Sequence, residues 1–303
     1  MYQDEIIPFL EIYYTTLGKS KVSDIIKYSV EGGKCIRGFI VKHIIETYTG
    51  SKTTLWEPIT SIELIHSASL IIDDLPCMDN DDIRRGKPST FCKFSEREAI
   101  MTSFYIVSES LRLLTNCLNN IKNELITNNI DIENSFFSSN KQLDILNNVI
   151  TNWCELLGKN LVVGQLLDLK ENVEDLFNLK LNLNDSKNII FYKTCSLFMF
   201  SFIIGAVFSG QNNLNIEEFK EMGIHFGIMF QIMDDFKDID QDKIEQSTNY
   251  ILENGIEKSI LSYTDAKNKL EFLLKKNNIY TDEFKTLISK ISLNFNYVTK
   301  KII

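Results

Sequence analysis

Apolar residues recur at intervals of three and four along most of the chain, the spacing that places them on one face of an α-helix. Ile6, Leu10 and Tyr13 follow this spacing near the start, and Leu or Ile alternates with Lys or Glu after about Lys258. We find no substantial alternation of apolar and polar residues of the kind that marks strands, and no internal repeat. The pattern predicts an all-α protein built as a single helical bundle.

Interruptions of this pattern set the expected limits of the helices. Pro76 disfavours helical backbone at the residue before it and should end the helix that starts near residue 56. An Asn-rich stretch over residues 119–140 is interpreted as an insertion between helices with no chemistry of its own. We predict helices over residues 4–30 (one or two), 36–49, 56–75, 92–118, 143–168, 191–208 and 216–240, and one or two closing helices from about residue 258.

Composition narrows the class of protein. A chain of 303 residues can bury a large core. Only four prolines and thirteen glycines leave room for long uninterrupted helices. The net charge of −9, with no basic stripe, argues against a nucleic-acid groove.

Cysteine usage and the chain's apolar runs indicate the compartment. The six cysteines show neither CxxC pairing nor metal-finger spacing, so we expect reduced thiols. The first residues carry acids and no basic leader-like region. The most apolar run, Leu197–Phe208, is shorter than the roughly 20 residues that span a membrane. We expect a soluble, cytoplasmic protein without a transmembrane segment; a trimmed organellar leader stays compatible with this sequence.

Candidate chemistry begins where the helix from residue 56 ends. Asp73-Asp74 is followed by Asp79 and then by a double arginine. Magnesium prefers oxygen ligands and usually binds a few carboxylates plus substrate phosphates, and guanidinium groups match phosphate oxygens. Asp73 and Asp79 would lie about 120° apart on an ideal helix. They can approach one metal cluster only if the helix breaks at Pro76.

Two further segments suit a diphosphate ligand. Asp234 and Asp238 are four residues apart, so on a helix they share a face. Between Glu31 and Arg37, two glycines allow the backbone to approach an anion, and Lys34 can reach the same phosphate as Arg37. Two aspartate-rich helices on either side of a cavity would form a site for several metal ions and a diphosphate.

These segments resemble the motifs of the trans-isoprenyl diphosphate synthases, which are head-to-tail prenyltransferases. The resemblance covers about residues 32–255 and rests on two aspartate-rich motifs in order with a double arginine. The matching segments are Gly32-Gly-Lys-Cys-Ile-Arg37, Asp73-Asp-Leu-Pro-Cys-Met-Asp79, Arg84-Arg-Gly-Lys-Pro88, Gly164-Gln-Leu-Leu-Asp168, Lys193-Thr194 and Gln231-Ile-Met-Asp-Asp-Phe-Lys-Asp238.

The resemblance implies a fold, a reaction and partners. The fold would be a single domain over residues 1–303, a large helical bundle around a central cavity. The reaction would join isopentenyl diphosphate to an allylic diphosphate (dimethylallyl, geranyl or farnesyl) and release pyrophosphate. Magnesium, about two or three ions per site, would be the cofactor, and the protein would be a homodimer.

The resemblance also implies roles for particular residues. The metal ligands would be Asp73, Asp74, Asp79, Asp234, Asp235 and Asp238. Isopentenyl diphosphate would contact Lys34, Arg37, His66 and Arg85, and the allylic diphosphate would contact Arg84, Lys193, Thr194 and Gln231. The residues that carry catalysis would be Asp73, Asp74, Asp79, Arg84, Lys193 and Asp234, with Asp168 holding Lys193.

Product length in this family depends on side chains below the first aspartate motif. Ala68 and Ser69 lie about one helical turn before Asp73 and would face the product tunnel. An aromatic side chain there would stop the product at the farnesyl length. Because both residues are small, we expect geranylgeranyl diphosphate or a longer product.

The chain departs from the family pattern at several positions. Cys35 replaces an arginine, Gly38 a proline and Phe91 a histidine, and Ser103-Phe104 stands where a Gly-Asp pair is usual. These departures leave open a non-catalytic subunit that modulates a partner synthase. A terpene cyclase is a further alternative, although a cyclase needs no isopentenyl diphosphate site.

Overall fold

The computed structural model describes residues 2–127, 139–181, 185–211, 214–245 and 247–302, and nearly all regular structure in them is helical. The chain divides into two compact units. Unit 1 comprises Met1–Trp153 and Ile204–Leu214, and unit 2 comprises Cys154–Ile203 and Asn215–Ile303.

The first half of the chain contains seven α-helices and one short hairpin among its described residues. They are α1 Gln3–Thr16, α2 Lys21–Val30, α3 Ile36–Thr49, α4 Trp56–Asp73, β1 Ile83–Arg84, β2 Lys87–Pro88, α5 Thr90–Lys93, α6 Glu96–Thr127 and α7 Ser139–Asn152.

The second half contains eight α-helices and two π-helical segments among its described residues. They are π1 Trp153–Asn160, α8 Leu161–Asp168, α9 Val173–Phe177, α10 Ser186–Ile189, π2 Ile190–Cys195, α11 Ser196–Phe208, α12 Ile216–Glu245, α13 Tyr250–Asn254, α14 Ile256–Lys276 and α15 Asp282–Ile302.

Helix α4 lies at the centre of unit 1. Most of its residues are buried, including polar ones such as Ser61 and Glu63, because it packs against α1, α3 and α6. A helix that is apolar on nearly all sides is expected at such a position. The Ser61 hydroxyl donates to the carbonyl of Ser110 in α6 at 2.7 Å, which satisfies one of its buried polar groups. The first aspartate motif therefore follows a helix that is buried over most of its length.

Unit 2 is built on a core of aromatic side chains. The rings of Phe198 in α11 and Phe226 in α12 lie 4.8 Å apart, and Phe202 contacts Phe284 of α15 at 5.9 Å. Helices α11 and α12 approach closely because Gly223 has no side chain: a Cβ there would lie 2.3 Å from the Cα of Met199. This packing holds the second aspartate motif, on α12, against the unit's core.

The structure confirms the all-α prediction and corrects several boundaries. The helix expected over residues 56–75 ends at Asp73, two residues early, because Pro76 excludes helical backbone just before it. The proposed insertion at residues 119–140 was wrong at both ends: α6 continues to Thr127 and α7 begins at Ser139. Residues 128–138 lie outside the described residues.

The spacing of apolar residues is consistent with the continuation of α6 from residue 118 to Thr127. Leu118, Ile121 and Leu125 keep the three- and four-residue spacing of apolar positions through the Asn-rich stretch. Asparagine is a weak helix former, but tertiary packing routinely overrides propensity. Composition alone therefore misled the prediction here.

One segment of the described residues is long and apolar enough to cross a membrane by length and composition. It is Ser186–Phe208, of which 78% of the tested window is buried inside the protein. The core helices of soluble proteins pass the same test, and the aromatic contacts of this segment with α12 and α15 are those of a core helix.

Candidate active site

The first aspartate motif forms a loop closed by its own backbone. The amide of Asp79 donates to the carbonyl of Asp73 at 2.9 Å, and that of Asp81 to the carbonyl of Asp74 at 3.1 Å. Asn80 adopts a left-handed backbone, with φ of 56°, which turns the chain back. The predicted break between Asp73 and Asp79 is confirmed, and it places these two residues side by side.

Asp74 and Arg84 form the main ion pair of this loop. Asp74 is only 2% exposed, and the Nε–H of Arg84 donates to its Oδ1 at 2.7 Å. Arg84 also donates from Nη2 to Asp81 at 2.8 Å. Burial raises the pKa of Asp74, while the hydrogen bond and charge of Arg84 oppose the rise. The guanidinium group thus fixes the loop that carries the predicted metal ligands.

The hairpin β1–β2 directs the two arginines to different partners. Arg85 and Gly86 occupy its turn with φ values of 55° and 76°, the left-handed pair that a two-residue hairpin turn requires. The Nη1 of Arg85 donates to the carbonyls of Ser29 and Val30, both at 3.0 Å, at the end of α2. A cation at the carbonyl end of a helix is favourable. Arg84 faces the aspartate loop, whereas Arg85 faces the Gly32-Gly33 segment.

The predicted isopentenyl diphosphate residues come together in unit 1. His66 is partly buried on α4, and its pKa is lowered well below the usual value by burial first, then by the charges of Arg37, Arg85, Arg84 and Lys34. Its Nδ1 is buried and has no hydrogen-bond partner among the described residues. His66 is therefore a neutral imidazole beside several cations, with a buried ring nitrogen that lacks a hydrogen-bond partner among the described residues.

The segment that contains Gly32 and Gly33, here called the glycine loop, packs tightly against Arg85. The Nε2 of Gln3 donates to the carbonyl of Gly33 at 2.8 Å, and a Cβ on Gly33 would lie 3.2 Å from the Nη2 of Arg85. Cys35 precedes α3 with φ of 54° and is buried. Lys34 between them is exposed. The loop thus presents Lys34 to solvent while its neighbours are held by the fold.

Ser103 and Phe104, which stand where the family pattern has a Gly-Asp pair, lie on α6 in unit 1. Ser103 is buried, and its hydroxyl donates to the carbonyl of Ala68 at 3.1 Å. Phe104 is 65% exposed on α6. Ala68 is buried, whereas Ser69 is partly exposed and its hydroxyl donates to the carbonyl of His66 at 2.8 Å.

In unit 2, Lys193 and Thr194 lie within π2. The Nζ of Lys193 contacts Oδ2 of Asp168 at 2.6 Å, so the expected ion pair is present. Gly164 of α8 makes this possible: a Cβ there would lie 2.3 Å from the backbone nitrogen of Lys193. π-helical turns are rare and often mark functional sites, and nothing in the residue pattern had predicted this one.

A chain of hydrogen bonds connects Thr194 to the second aspartate motif. The hydroxyl of Thr194 donates to Gln231 at 2.6 Å, and the amide nitrogen of Gln231 donates to Asp235 at 2.8 Å. Asp235 also accepts the backbone N–H of Tyr250 at 2.8 Å. Burial raises the pKa of Asp235 to about 7, against the opposing effect of these two donors.

Asp234 and Asp238 lie on a more exposed face of α12 than Asp235. Asp234 pairs with Lys237 at 2.5 Å, and Asp238 is exposed. Asp235 is 6% exposed and engaged with Gln231 and Tyr250. The second motif thus offers carboxylates on two faces, one toward solvent and one toward α13.

The donor chemistry of both motifs fits magnesium. Within the described ranges, no group of three or more His, Cys, Asp or Glu side chains is assembled around one point. Magnesium commonly takes only one or two protein carboxylates and completes its octahedron with water and substrate phosphates. Asp73 beside Asp79, and Asp234 with Asp238, are pairs of this kind.

Comparison with known proteins identifies the family. The family model described as polyprenyl synthetase matches residues 19–264. The chain belongs to the polyprenyl synthetase family. All the predicted site residues of this polyprenyl synthetase, from Lys34 to Asp238, fall within the matched range.

The relatives of this chain include farnesyl diphosphate synthases and geranylgeranyl diphosphate synthases. It is 31% identical over 271 residues to a farnesyl diphosphate synthase of Bacillus subtilis, covering 88% of this chain and 81% of that one. It is 30% identical over 269 residues to geranylgeranyl pyrophosphate synthase 4 of Arabidopsis thaliana, covering 84% and 64%. Prenyl diphosphate synthases of this family generally use Mg²⁺.

Solved structures show the same fold. A geranyltransferase from Legionella pneumophila aligns with a TM-score of 0.72 at 21% identity, over 98% of this chain and 95% of that one. A geranyltranstransferase from Thermotoga maritima aligns with a TM-score of 0.70 at 22% identity, over 99% and 98%. The chain has the all-α isoprenoid synthase fold.

Proposed function

We propose that the protein is a trans-prenyl diphosphate synthase that condenses isopentenyl diphosphate with an allylic diphosphate. The observation that carries this proposal is the cluster of Lys34, Arg37 and Arg85 around the neutral His66. These groups suit an anion that is bound without metal, next to a loop whose aspartates suit a diphosphate bound through metal. A reaction that joins two diphosphates needs both kinds of site.

The proposed reaction starts with cleavage of the allylic C–O bond, which leaves an allylic cation and pyrophosphate. The aspartates of each motif would hold magnesium, which would supply positive charge to neutralise a leaving diphosphate. Lys193, held by Asp168, and the Thr194–Gln231 pair would supply a fixed positive charge and polar groups for the allylic diphosphate. Preorganised charge of this type is usually the largest catalytic contribution.

The carbon–carbon bond then forms at the isopentenyl double bond. Lys34, Arg37 and Arg85 would hold the isopentenyl diphosphate in place, so that the double bond lies close to the cation. His66 would contribute its buried ring nitrogen without adding charge. The new cation loses a proton, which we assign to the released pyrophosphate, and this restores a neutral double bond.

We further propose geranylgeranyl diphosphate as the main product. Farnesyl and geranylgeranyl synthases are both among the relatives, so family membership does not decide the length. The small side chains of Ala68 and Ser69 support the longer product, because neither would fill the path below Asp73.

One assay separates the candidate functions. Purified protein is incubated with Mg²⁺, isopentenyl diphosphate and, in turn, dimethylallyl, geranyl and farnesyl diphosphate. Elongated prenyl diphosphate supports the proposal, and its loss in Asp79→Asn ties the activity to the first motif. A cyclic hydrocarbon would indicate a terpene cyclase. No product without an added synthase would indicate a regulatory subunit.

We also propose that the protein is a homodimer that acts in a reducing compartment such as the cytoplasm. Met101, Phe104 and Tyr105 form an exposed apolar surface on α6 that a second copy could cover. None of the six cysteines, all within the described residues, is joined in a disulfide. Light scattering should give twice the chain mass for the unaltered protein and the single-chain mass for Phe104→Glu.

A further inference from the structure

A buried glutamate lies beneath the proposed isopentenyl diphosphate site. Glu63 is on α4, one helical turn before His66, and is 3% exposed. Burying a carboxylate is costly unless hydrogen bonds or opposite charges compensate. The proposed reaction gives Glu63 no role, so its position needs another explanation.

The partners of Glu63 belong to the basic cluster. Its Oε1 accepts the backbone N–H of Gly38 at 2.6 Å. Burial raises the pKa of Glu63, while the Gly38 hydrogen bond and then the charges of Arg37 and Arg85 oppose that rise. Two of the cations assigned to isopentenyl diphosphate therefore lie close to this one carboxyl group.

Gly38 is suited to this contact in two ways. It is the third residue of α3, where a backbone N–H has no acceptor within the helix. A Cβ at this position would lie 3.1 Å from Oε1 and Cγ of Glu63 and 3.2 Å from Ile6, so glycine permits the close approach. The proline found here in the family pattern has no N–H to donate.

We propose that Glu63 is a positioning residue for the isopentenyl diphosphate site. By accepting the Gly38 N–H, Glu63 fixes the first turn of α3 against α4. Arg37 is part of that turn and Lys34 lies two residues before it, while His66 is on α4 itself. The bond therefore sets the spacing between the cations of the loop and the imidazole. This role rests on the proposed function, in which these residues bind isopentenyl diphosphate.

The test uses variants that separate the hydrogen bond from the charge. Glu63→Ala removes the acceptor, and Glu63→Gln keeps an oxygen that can accept from Gly38. Gly38→Pro removes the donor, and Gly38→Ala adds a comparable Cβ but keeps the N–H. The control is Glu57→Ala, since Glu57 is also buried on α4 but pairs with Asn120.

Two measurements are made on each variant. One is the KM for isopentenyl diphosphate and for the allylic primer in the elongation assay. The other is calorimetric binding of isopentenyl diphosphate with no metal and no primer, which does not require turnover. Loss of a buried hydrogen bond should weaken the binding of isopentenyl diphosphate by about tenfold in Glu63→Ala and in Gly38→Pro.

The primer KM should stay within about twofold in these variants, and Glu63→Gln and Glu57→Ala should remain near the unaltered protein in both measurements. Gly38→Ala gives the cost of the added Cβ alone, which would lie 3.1 Å from Glu63, and Gly38→Pro should bind isopentenyl diphosphate more weakly than Gly38→Ala does. The double variant Glu63→Ala with Gly38→Pro should be no weaker than either single variant, since both remove one bond.

The results distinguish this inference from the proposed function. If the unaltered protein binds isopentenyl diphosphate and Glu63→Ala weakens that binding, the inference holds even when no elongation occurs. Three results would overturn it. The first is an equal loss of affinity for both substrates, and the second is an equal loss of isopentenyl diphosphate binding in Glu63→Gln and Glu63→Ala. The third is unchanged binding in Glu63→Ala and Gly38→Pro. Absence of binding by the unaltered protein overturns it as well.

Discussion

Replacing Gly164 with alanine should displace the segment that carries Lys193 and Thr194. The new Cβ would lie 2.3 Å from the backbone nitrogen of Lys193 and 2.6 Å from its Cα. Packed atoms of this kind prefer about 3.5–4.0 Å, so α8 and π2 must separate by about 1 Å. The clash is with backbone, which cannot move aside by changing a rotamer.

The expected cost has a structural and a catalytic part. Overpacking of this type typically destabilises a protein by about 1–3 kcal/mol. A displacement of about 1 Å in a group that positions substrate can lower turnover by about a hundredfold. Because Lys193 is assigned to the allylic diphosphate, we expect kcat to fall and the primer KM to rise, with little change in isopentenyl diphosphate binding.

Gly158→Ala provides the matched control. Gly158 lies in π1 of the same unit, and a Cβ there would meet nothing within 4 Å. Thermal unfolding and steady-state elongation are measured for both variants. If Gly164→Ala unfolded at the same temperature as Gly158→Ala and kept its turnover, the close contact between α8 and π2 would have no importance for the site.

Three further predictions concern product length, pH and metal. Phe at Ala68 or at the more exposed Ser69 should shorten the main product to the farnesyl length, and unchanged products on chromatography would reject the proposed tunnel. Because the pKa of His66 is lowered in the folded state, folding stability should be fullest above about pH 6.5 and fall by up to about 1.4 kcal/mol per pH unit below it; denaturant unfolding at pH 7 and pH 5 measures this. The free energy of unfolding should fall less between these pH values for His66→Gln than for the unaltered protein, and an equal fall would contradict a neutral His66. A chelator should abolish elongation yet leave calorimetric binding of isopentenyl diphosphate unchanged, and loss of both would mean that this site also depends on metal.

Short-range features of the site could be predicted from the sequence. Apolar spacing located α3 at residues 36–49 correctly, and Pro76 indicated the break after Asp73. The ion pair of Lys193 with Asp168 followed from the family resemblance. Each of these depends on a few neighbouring residues or on a motif of fixed order.

Contacts between residues far apart in the chain could not be predicted. Arg85 occupies the turn of the hairpin and donates to carbonyls more than fifty residues earlier, and no pattern in the sequence indicated either. Glu63 accepts an N–H from residue 38, and the π-helical segment around Lys193 packs closely against Gly164 of another helix. A signal for Glu63 was present, since an acid one turn from His66 on an apolar helix needs a partner.

The bonds from Arg85 to the end of α2 have a consequence for ligand affinity. Nη1 donates to the carbonyls of Ser29 and Val30 at 3.0 Å and to that of Glu31 at 3.3 Å, which holds the guanidinium group against Gly33. A mobile arginine loses about 0.5–1.5 kcal/mol of rotamer freedom when it grips an anion. Arg85 loses that freedom when the chain folds. If it binds a diphosphate as proposed, little further rotamer entropy would be lost on binding.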